Sequence, residues 1–322
     1  TGARTRLWSR AHLAAVVNVR GWDDDERATL VALLKAQPER LSWGDLTALV
    51  AECGSARKVW SHFYPDTLFG EDDASTFLHE AKSDIQAWRS DDFKFLTFMD
   101  DEYPERLRDV RQMPPVVFTQ GLLVSADRGV SVVGSRKASP AALAFARQTA
   151  ALLVSQSITV VAGLAEGIDT AAHEAALQAG GRTVAVIGTG IRKRYPAANA
   201  GLHTAIPERG GLVLSQFWPD SPPTKWSFPA RNAVMSAYGY ATVVVAAGEH
   251  SGTRIQAREA IGHGRPVILS AAVTRETRWG AGLVGQPGVH VATTPEEVMT
   301  HLDSILTANN TVAELLAAAT HV

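Results

Sequence analysis

Apolar residues cluster in three short runs near the middle of the chain, at residues 130–134, 158–163 and 183–188. Each run is apolar throughout, without alternating polar positions, and segments of helical periodicity separate the runs. Runs of this kind are typical of parallel strands that are covered on both faces. Each run ends in glycine, so we expect the three strand ends to lie in a row at the carboxyl edge of one sheet, where doubly wound sheets bind ligands.

The rest of the second half of the chain repeats the alternation of strand and helix. Further strands are predicted at residues 212–217, 241–247, 266–271 and 289–293. Helices are predicted at 139–156, 166–179, from about 199, 230–238, 251–263 and 295–306. This order predicts an α/β fold with a Rossmann-like, doubly wound and mainly parallel sheet.

The first hundred residues show a different pattern. Apolar residues recur at helical spacing in four segments, at residues 10–19, 24–37, 43–53 and 74–88, which predicts amphipathic helices. Acidic residues 23–26 stand where the second helix starts, which suits capping rather than catalysis. We therefore predict four parts: a small all-helical N-terminal domain at residues 1–92, an extended connector at 93–120 that holds a short strand at 93–99, the Rossmann-like domain at 121–306, and a C-terminal tail at 307–322.

Composition narrows the class of protein. Hydrophobic residues make up 46% and charged residues 20% of the 322 residues, and Cys53 is the single cysteine. One cysteine excludes an internal disulfide and a cysteine-based zinc site, and it favours a reducing compartment. No run reaches the roughly 18 apolar residues that a membrane span needs. We expect a cytoplasmic protein with no membrane partner.

Charge is distributed unevenly although the net charge is only -2. Residues 1–120 hold 15 Lys and Arg against 20 Asp and Glu, whereas residues 181–280 hold 12 against 5. A locally basic lobe can attract a polyanion. Scattered, solvated arginines explain the same count equally well, so charge alone leaves both interpretations open.

The turn after the first central strand carries the first candidate site. Gly134, Ser135, Arg136 and Lys137 lie between a strand and a helix, where glycine allows close approach of a ligand and arginine can bind a phosphate in a bidentate manner. We predict phosphate binding here, with a tight turn bearing exposed charges as the alternative. The dinucleotide fingerprint and the P-loop pattern are both absent, so neither NAD nor a P-loop nucleotide is predicted, and no cofactor is expected.

Other strand ends supply further candidates. Lys225 to Asn232 reads as a loop in which cations and aromatic residues alternate, as in sites that hold a phosphate backbone and stack bases. We expect Phe228 to be available for stacking and Trp226 to be folded under the loop. Asp169 is interpreted as a cap of backbone amides. The candidate DNA- or phosphate-binding residues are Gly134, Ser135, Arg136, Lys137, Gly163, Gly167, Gly188, Thr189, Gly190, Lys225, Phe228, Arg231, Asn232, Ser251, Gly252 and Thr253. No catalytic or metal-binding set is predicted.

Several motifs in one order carry a family resemblance. They are Tyr103-Pro104 with Pro114-Pro115 and Gly121, VVGSRKASP, GLAEGIDTAAHEAAL, VAVIGTGI with Tyr195-Pro196 and Asn199, FPARN, and SGTRIQAREAIGHGRPV. Together they span roughly residues 103–270 and resemble the DprA/Smf family of DNA-processing proteins. The helical N-terminus is similar to that family's sterile-alpha-motif-like domain. The segment SAAVTRETRWGAGLVGQPGVHV departs from the family pattern.

The resemblance implies a protein that binds single-stranded DNA, forms a homodimer and assists loading of the recombinase RecA in natural transformation or recombination. It implies a pocket formed by Arg136, Lys225, Phe228 and Arg231 and lined by the glycines and serines named above. It implies binding and not turnover.

Two alternatives belong to a nucleotide-binding class of Rossmann-like proteins. One is the phosphoribohydrolases of the same superfamily of folds, which cleave nucleoside monophosphates, but Gln256 stands where those enzymes have a glutamate, and an amide cannot act as the carboxylate base. A sensor of a nucleotide messenger would use the same phosphate-binding turns. Small-nucleotide affinity would favour these classes, whereas affinity that rises with strand length and falls with salt favours DNA.

Overall fold

The computed structural model describes residues 21–65 and 72–320, and the chain divides into two compact units, Thr1–Gln120 and Gly121–Val322. The predicted helix at residues 10–19 lies outside the described residues. None of the described helices combines the length and the apolar character that a membrane span requires.

The first unit begins with helices. They are α1 (Asp24–Ala36), α2 (Trp43–Cys53), α3 (Ala56–Phe63) and α4 (Asp72–Arg89). The predicted capping is confirmed, because the Asp23 carboxylate accepts a hydrogen bond from the backbone N–H of Glu26 at 2.9 Å. Helix α3 was not predicted. Its first turn is held by the buried Glu26 carboxylate, which accepts from the Ala56 N–H at 2.6 Å, 30 residues away in sequence.

An antiparallel pair of strands follows, β1 (Lys94–Thr97) and β2 (Val116–Gly121). The connector between them is more ordered than the predicted extended chain. It contains a short 3₁₀ turn at Glu105–Asp109, and the fully buried Tyr103 donates its hydroxyl proton to the Pro114 carbonyl at 2.7 Å. The Arg108 guanidinium donates to the Phe98 carbonyl at 2.9 Å. Buried hydrogen bonds from side chains to backbone carbonyls therefore hold this segment together.

The second unit alternates strand and helix as predicted. Its strands are β3 (Gly129–Gly134), β4 (Thr159–Ala162), β5 (Thr183–Val186), β6 (Leu212–Ser215), β7 (Ala241–Ala246), β8 (Val267–Ser270) and β9 (Val289–Ala292). Its helices are α5 (Pro140–Ser155), α6 (Ile168–Gln178), α7 (Ala200–Glu208), α8 (Ser227–Tyr238), α9 (Gly252–Gly262), α10 (Ala271–Glu276), α11 (Arg278–Ala281) and α12 (Pro295–Thr320). Helix α12 continues well past Leu306, where the prediction ended it.

These seven strands pair in the order β6-β5-β4-β3-β7-β8-β9, and every pair is parallel. The predicted doubly wound fold is therefore confirmed. The chain adds β4, β5 and β6 on one side of β3 and then returns to add β7, β8 and β9 on the other. Ligands of such sheets bind beyond the carboxyl ends of the strands around this reversal.

Apolar side chains cover both faces of the sheet. Residues of α5, α6 and α12 form one buried cluster with β3, β4 and β7. Helices α8 and α9 pack against each other on the opposite face. This face is expected because the crossovers are right-handed and the chain adds β7 and β8 in the direction opposite to β4, β5 and β6. Because helices cover both faces, the open parts of the sheet are the two edges formed by the amino ends and by the carboxyl ends of its strands.

Candidate nucleic-acid interface

The turn after β3 is fixed by its neighbours. The Ser135 N–H donates to the Ala246 carbonyl at the end of β7, at 2.8 Å, and the Ser135 hydroxyl accepts from the Lys137 N–H at 3.2 Å. A methyl group on Gly134 would lie 2.6 Å from the Ile168 side chain. Arg136 and Lys137 point outward and are exposed. Helix α5 begins only at Pro140, so the exposed cations, and not the helix terminus, form the accessible part of this turn.

The turn after β4 packs directly against the turn after β3. Gly167 adopts φ +83°, and a side chain on it would overlap the carbonyl oxygens of Ser135 and Arg136. Asp169 accepts from the Gly163 N–H at 2.9 Å and from the Ala165 N–H at 3.4 Å. This confirms the capping role predicted for Asp169, which fixes the loop and leaves its carboxylate buried.

Arg231 lies beneath the strand ends and not on the surface. Its side chain is 6% exposed, its Nη1 donates to the Val186 carbonyl at 2.9 Å, and a methyl group on Gly163 would overlap the guanidinium. Burial lowers the pKa of Arg231, an effect that the negative charge of Asp169 opposes. Burial likewise raises the pKa of Asp169, against the influence of Arg231. These two buried side chains lie beneath the strand ends and support the site from below.

The glycines after β5 form a buried platform. The Gly188 carbonyl accepts from the Ser227 hydroxyl at 2.6 Å, and a methyl group on Gly188 would lie 2.8 Å from Cδ1 of Phe228. The Thr189 carbonyl accepts from the Ser215 hydroxyl at 2.6 Å. The close contact at Gly188 leaves no room for a side chain, so this turn holds the Phe228 ring in position.

Phe228 is the centre of a group of aromatic and cationic side chains. The guanidinium carbon of Arg136 lies 5.5 Å from the centroid of its ring, a distance at which a cation interacts with an aromatic face. The ring of Tyr195 lies 5.9 Å away on the other strand-end loop and is 39% exposed. Tyr195 was missed as a site residue, although it directly follows three cations, Arg192 to Arg194, within the locally basic lobe.

Trp226 contradicts the expectation that it is folded under the loop. It is 65% exposed, whereas Phe228 is partly buried. The reason is that α8 begins at Ser227 and not at Ala230, so most of the predicted loop is helix. Ser227 bonds inward to Gly188, which directs Phe228 onto the platform and leaves Trp226, one residue before the helix, outside. Lys225 beside it is exposed as well.

The turn after β7 closes the site on its far side. The Ser251 hydroxyl caps α9 by accepting from the Thr253 N–H at 3.1 Å, and the Asn232 amide of α8 donates to the Gly252 carbonyl at 3.4 Å. Thr253 is buried and Gly252 exposed. Asn232 therefore joins this turn to the helix that carries Phe228.

The segment that departs from the family pattern braces the same turn. Glu249 accepts from the Arg278 N–H at 2.8 Å, and the indole N–H of Trp279 donates to the Gly248 carbonyl at 3.3 Å. Helices α10 and α11 thus hold the β7–α9 turn from behind. Across the described part of the chain, no three His, Cys, Asp or Glu side chains gather where they could hold a metal ion.

The family model and the relatives of similar sequence agree on one family. The model of the family "DNA recombination-mediator protein A" matches residues 94–303. Protein Smf of Escherichia coli is 34% identical over 202 residues, which cover 62% of this chain and 54% of Smf. The chain thus spans about half the length of that relative. DNA processing protein DprA of Streptococcus pneumoniae is 35% identical over 213 residues, 66% of this chain and 75% of the relative.

Solved structures show the same fold. The X-ray structure of S. pneumoniae DprA superposes with a TM-score of 0.61 at 28% identity and covers 90% of this chain and 95% of that one. DNA processing protein A of Helicobacter pylori, described for its mode of binding single-stranded DNA, has a TM-score of 0.57 at 23% identity and covers 66% of this chain and 96% of that one.

Proposed function

This chain belongs to the DNA recombination-mediator protein A family, and from that premise we propose that it binds single-stranded DNA across the carboxyl ends of its central strands. The observation that carries the proposal is the contact of the Arg136 guanidinium with the Phe228 ring at the end of β5. A cation beside an aromatic ring provides for both parts of a nucleotide, since arginine binds phosphate and an aromatic face stacks a base.

The residues around this contact divide into two groups. Arg136, Lys137 and Lys225 are exposed and would contact phosphates, whereas Phe228 and Tyr195 would contact bases. Gly163, Gly167, Gly188, Thr189, Gly190 and Arg231 would act indirectly, because they hold the platform from within. Ser251, Gly252, Thr253 and Asn232 would form the wall next to β7.

We infer binding and not turnover. Gln256 is 1% exposed on α9, and neither polar atom of its amide has a partner among the described residues. An amide at this position cannot serve as the carboxylate base of a nucleotide hydrolase. A hydrolase would release free base from nucleoside monophosphates, which chromatography of the incubated nucleotides detects.

On the family resemblance alone, we propose that the chain forms a homodimer and assists RecA in the cytoplasm. Sedimentation equilibrium tests the dimer. RecA-driven strand exchange on DNA already coated with single-strand-binding protein tests the loading role, with stimulation by this chain as the expected result.

The direct test is fluorescence anisotropy with labelled oligo-dT of several lengths at two salt concentrations. We expect affinity to rise with length and to fall with salt, and the double variant Lys225→Ala/Phe228→Ala to lose binding. The matched control removes one exposed cation and one exposed apolar residue from the opposite edge of the sheet, Arg128→Ala/Leu122→Ala. Absence of binding by the folded wild type at low salt would contradict the proposal.

A further inference from the structure

Trp226 is, among the described residues, the large apolar side chain with the greatest exposed fraction, 65%. Its indole packs against one buried ring. The ring of the buried Phe217 lies 5.4 Å from it with an interplanar angle of 74°, and the Phe217 N–H donates to the Ser215 hydroxyl at 3.1 Å. Trp226 therefore contacts one buried ring and leaves most of its surface open to solvent.

Trp226 extends the row of site residues along the carboxyl edge of the sheet. Phe228 rests on Gly188 just after β5, and Trp226 rests on Phe217 just after β6. Strands β5 and β6 are paired, with Val186 opposite Leu214, and paired strands lie about 4.8 Å apart. Arg136, Phe228 and Trp226 thus follow one another along the same edge, above β3, β5 and β6.

Charge along this row indicates which ligand would cover the open indole. Lys225 is exposed next to Trp226, and the basic residues 192–194 lie in the loop that carries Tyr195. Each of the two aromatic side chains thus has a cation beside it, Arg136 at Phe228 and Lys225 at Trp226, as each base of a nucleic acid strand has a phosphate beside it. A mononucleotide needs one base platform, and a duplex hides the faces of its bases, so two platforms in a row fit a single strand.

We propose that Trp226 is a second nucleobase platform, which stacks the base adjacent to the one held at Phe228. This inference rests on the proposed function and adds a residue that sequence reasoning had assigned to packing. Stacking by Trp226 predicts that its loss weakens binding only where a base is present.

The test compares oligo-dT with an abasic strand of the same length and phosphate number. Trp226→Ala should weaken oligo-dT binding about fivefold to about a hundredfold, the range for one stacked base. It should leave binding to the abasic strand unchanged and should leave the slope of log affinity against log salt unchanged, since no phosphate contact is lost. Trp226→Phe should retain most of the affinity, and Leu122→Ala, an exposed apolar residue at the opposite edge, should have no effect.

The outcomes separate the two hypotheses. If wild-type protein binds oligo-dT and Phe228→Ala weakens binding, but Trp226→Ala does not, the second platform is wrong and the proposed function stands. An equal loss on both strands would also overturn it, because that result indicates a structural role. If folded wild-type protein binds neither strand, both hypotheses fail. Oligo-dT should also quench wild-type tryptophan fluorescence more than that of Trp226→Phe.

Discussion

The ring of Phe228 lies directly against Gly188, so that a methyl group on the glycine would stand 2.8 Å from Cδ1 and 3.0 Å from Cε1 of the ring. The two residues are 40 positions apart. The absence of a side chain at the end of β5 therefore sets the height of the ring above the sheet edge.

Gly188→Ala should displace the ring and weaken oligo-dT binding about tenfold, because overpacking moves the neighbouring side chain by a few tenths of an ångström or more. Anisotropy titrations measure the loss. Introducing Gly188→Ala into Phe228→Ala should cost no further affinity, since the two changes act on the same contact. Additive losses would show that Gly188 acts on something other than Phe228.

Gly163→Ala should destabilise the protein by about 3 kcal/mol or more. The new methyl group would overlap the buried guanidinium of Arg231, which would have to leave the Val186 carbonyl and abandon a buried hydrogen bond. Urea denaturation measures the change. Gly201→Ala is the matched control: it lies in α7 with no atom within 4 Å of the new methyl group, and we expect it to be neutral or stabilising by about 0.5–1 kcal/mol.

Stability should fall as the pH drops below about 6.5, in part because of His173. The ring is fully buried, and its Nδ1 lies 2.7 Å from the Thr183 hydroxyl, which donates its only proton to the Val160 carbonyl. His173 is therefore neutral with its proton on Nδ1. Burial, aided by the charge of Arg231, lowers its pKa from 6.5 to about 3.

The direction of this pH dependence of stability follows from the lowered pKa of His173. Above pH 6.5 the ring is neutral in both states, whereas below it the unfolded chain takes up a proton that the folded chain cannot bind. His173 should thus account for a loss of about 2 kcal/mol between pH 7 and pH 5. His173→Gln should lower stability at pH 7 but flatten this dependence in urea titrations. An unchanged slope would show that the folded ring titrates normally.

Asp220→Asn should strengthen binding to single-stranded DNA. The Asp220 carboxylate lies 2.5 Å from a guanidinium nitrogen of Arg192 and 3.7 Å from the ammonium of Lys193, so it competes with phosphates for these cations. We expect a few-fold gain in affinity at low salt and a salt dependence steeper by about 0.7 for each additional phosphate that the protein neutralises. Glu174→Gln, an exposed acid on α6, controls for the change in net charge.

Trp279→Phe should loosen the β7–α9 turn. The substitution keeps a ring in place but removes the indole N–H that donates to the Gly248 carbonyl, a hydrogen bond worth about 1 kcal/mol. Amide hydrogen exchange at residues 248–253 should therefore become about fivefold faster, while exchange in β4 stays unchanged. Equal acceleration in both places would indicate global destabilisation.

Much of the fold could be predicted because strand and helix patterns are local. Continuous apolar runs and the Ser139-Pro140 start of α5 identify their elements without knowledge of distant residues. Helix α3 was missed although Ser55 caps it locally, accepting from the Lys58 N–H at 3.2 Å; its first turn also depends on Glu26, whose carboxylate reaches it from another helix. The capping role of Asp169 was predicted, since its partners lie four and six residues away.

The candidate site was predicted less completely because its arrangement depends on contacts distant in sequence. Phe228-Pro229 resembles a helix break, since the residue before proline disfavours helix, yet proline is tolerated in a first turn. The start of α8 is held locally by Thr224, whose hydroxyl accepts from the Ser227 N–H at 3.1 Å, and at a distance by the bond from Ser227 to Gly188, 39 residues away. The distant bond directs Phe228 inward and leaves Trp226 outside, which no local pattern indicates. The sequence likewise could not show that Arg231 points into the interior.

The order of strands has a consequence for synthesis of the chain. The turns after β3, β4 and β5 come early, whereas the helix with Phe228 and the turn after β7 are made roughly a hundred residues after the first of them, and β7 must insert beside β3. A chain still emerging from the ribosome thus has exposed cations before it has a place for a base. The proposed contacts to phosphate and base come together only when the sheet is complete, so a product that ends before Lys225 would keep Arg136 and Lys137 but lack Phe228 and Trp226.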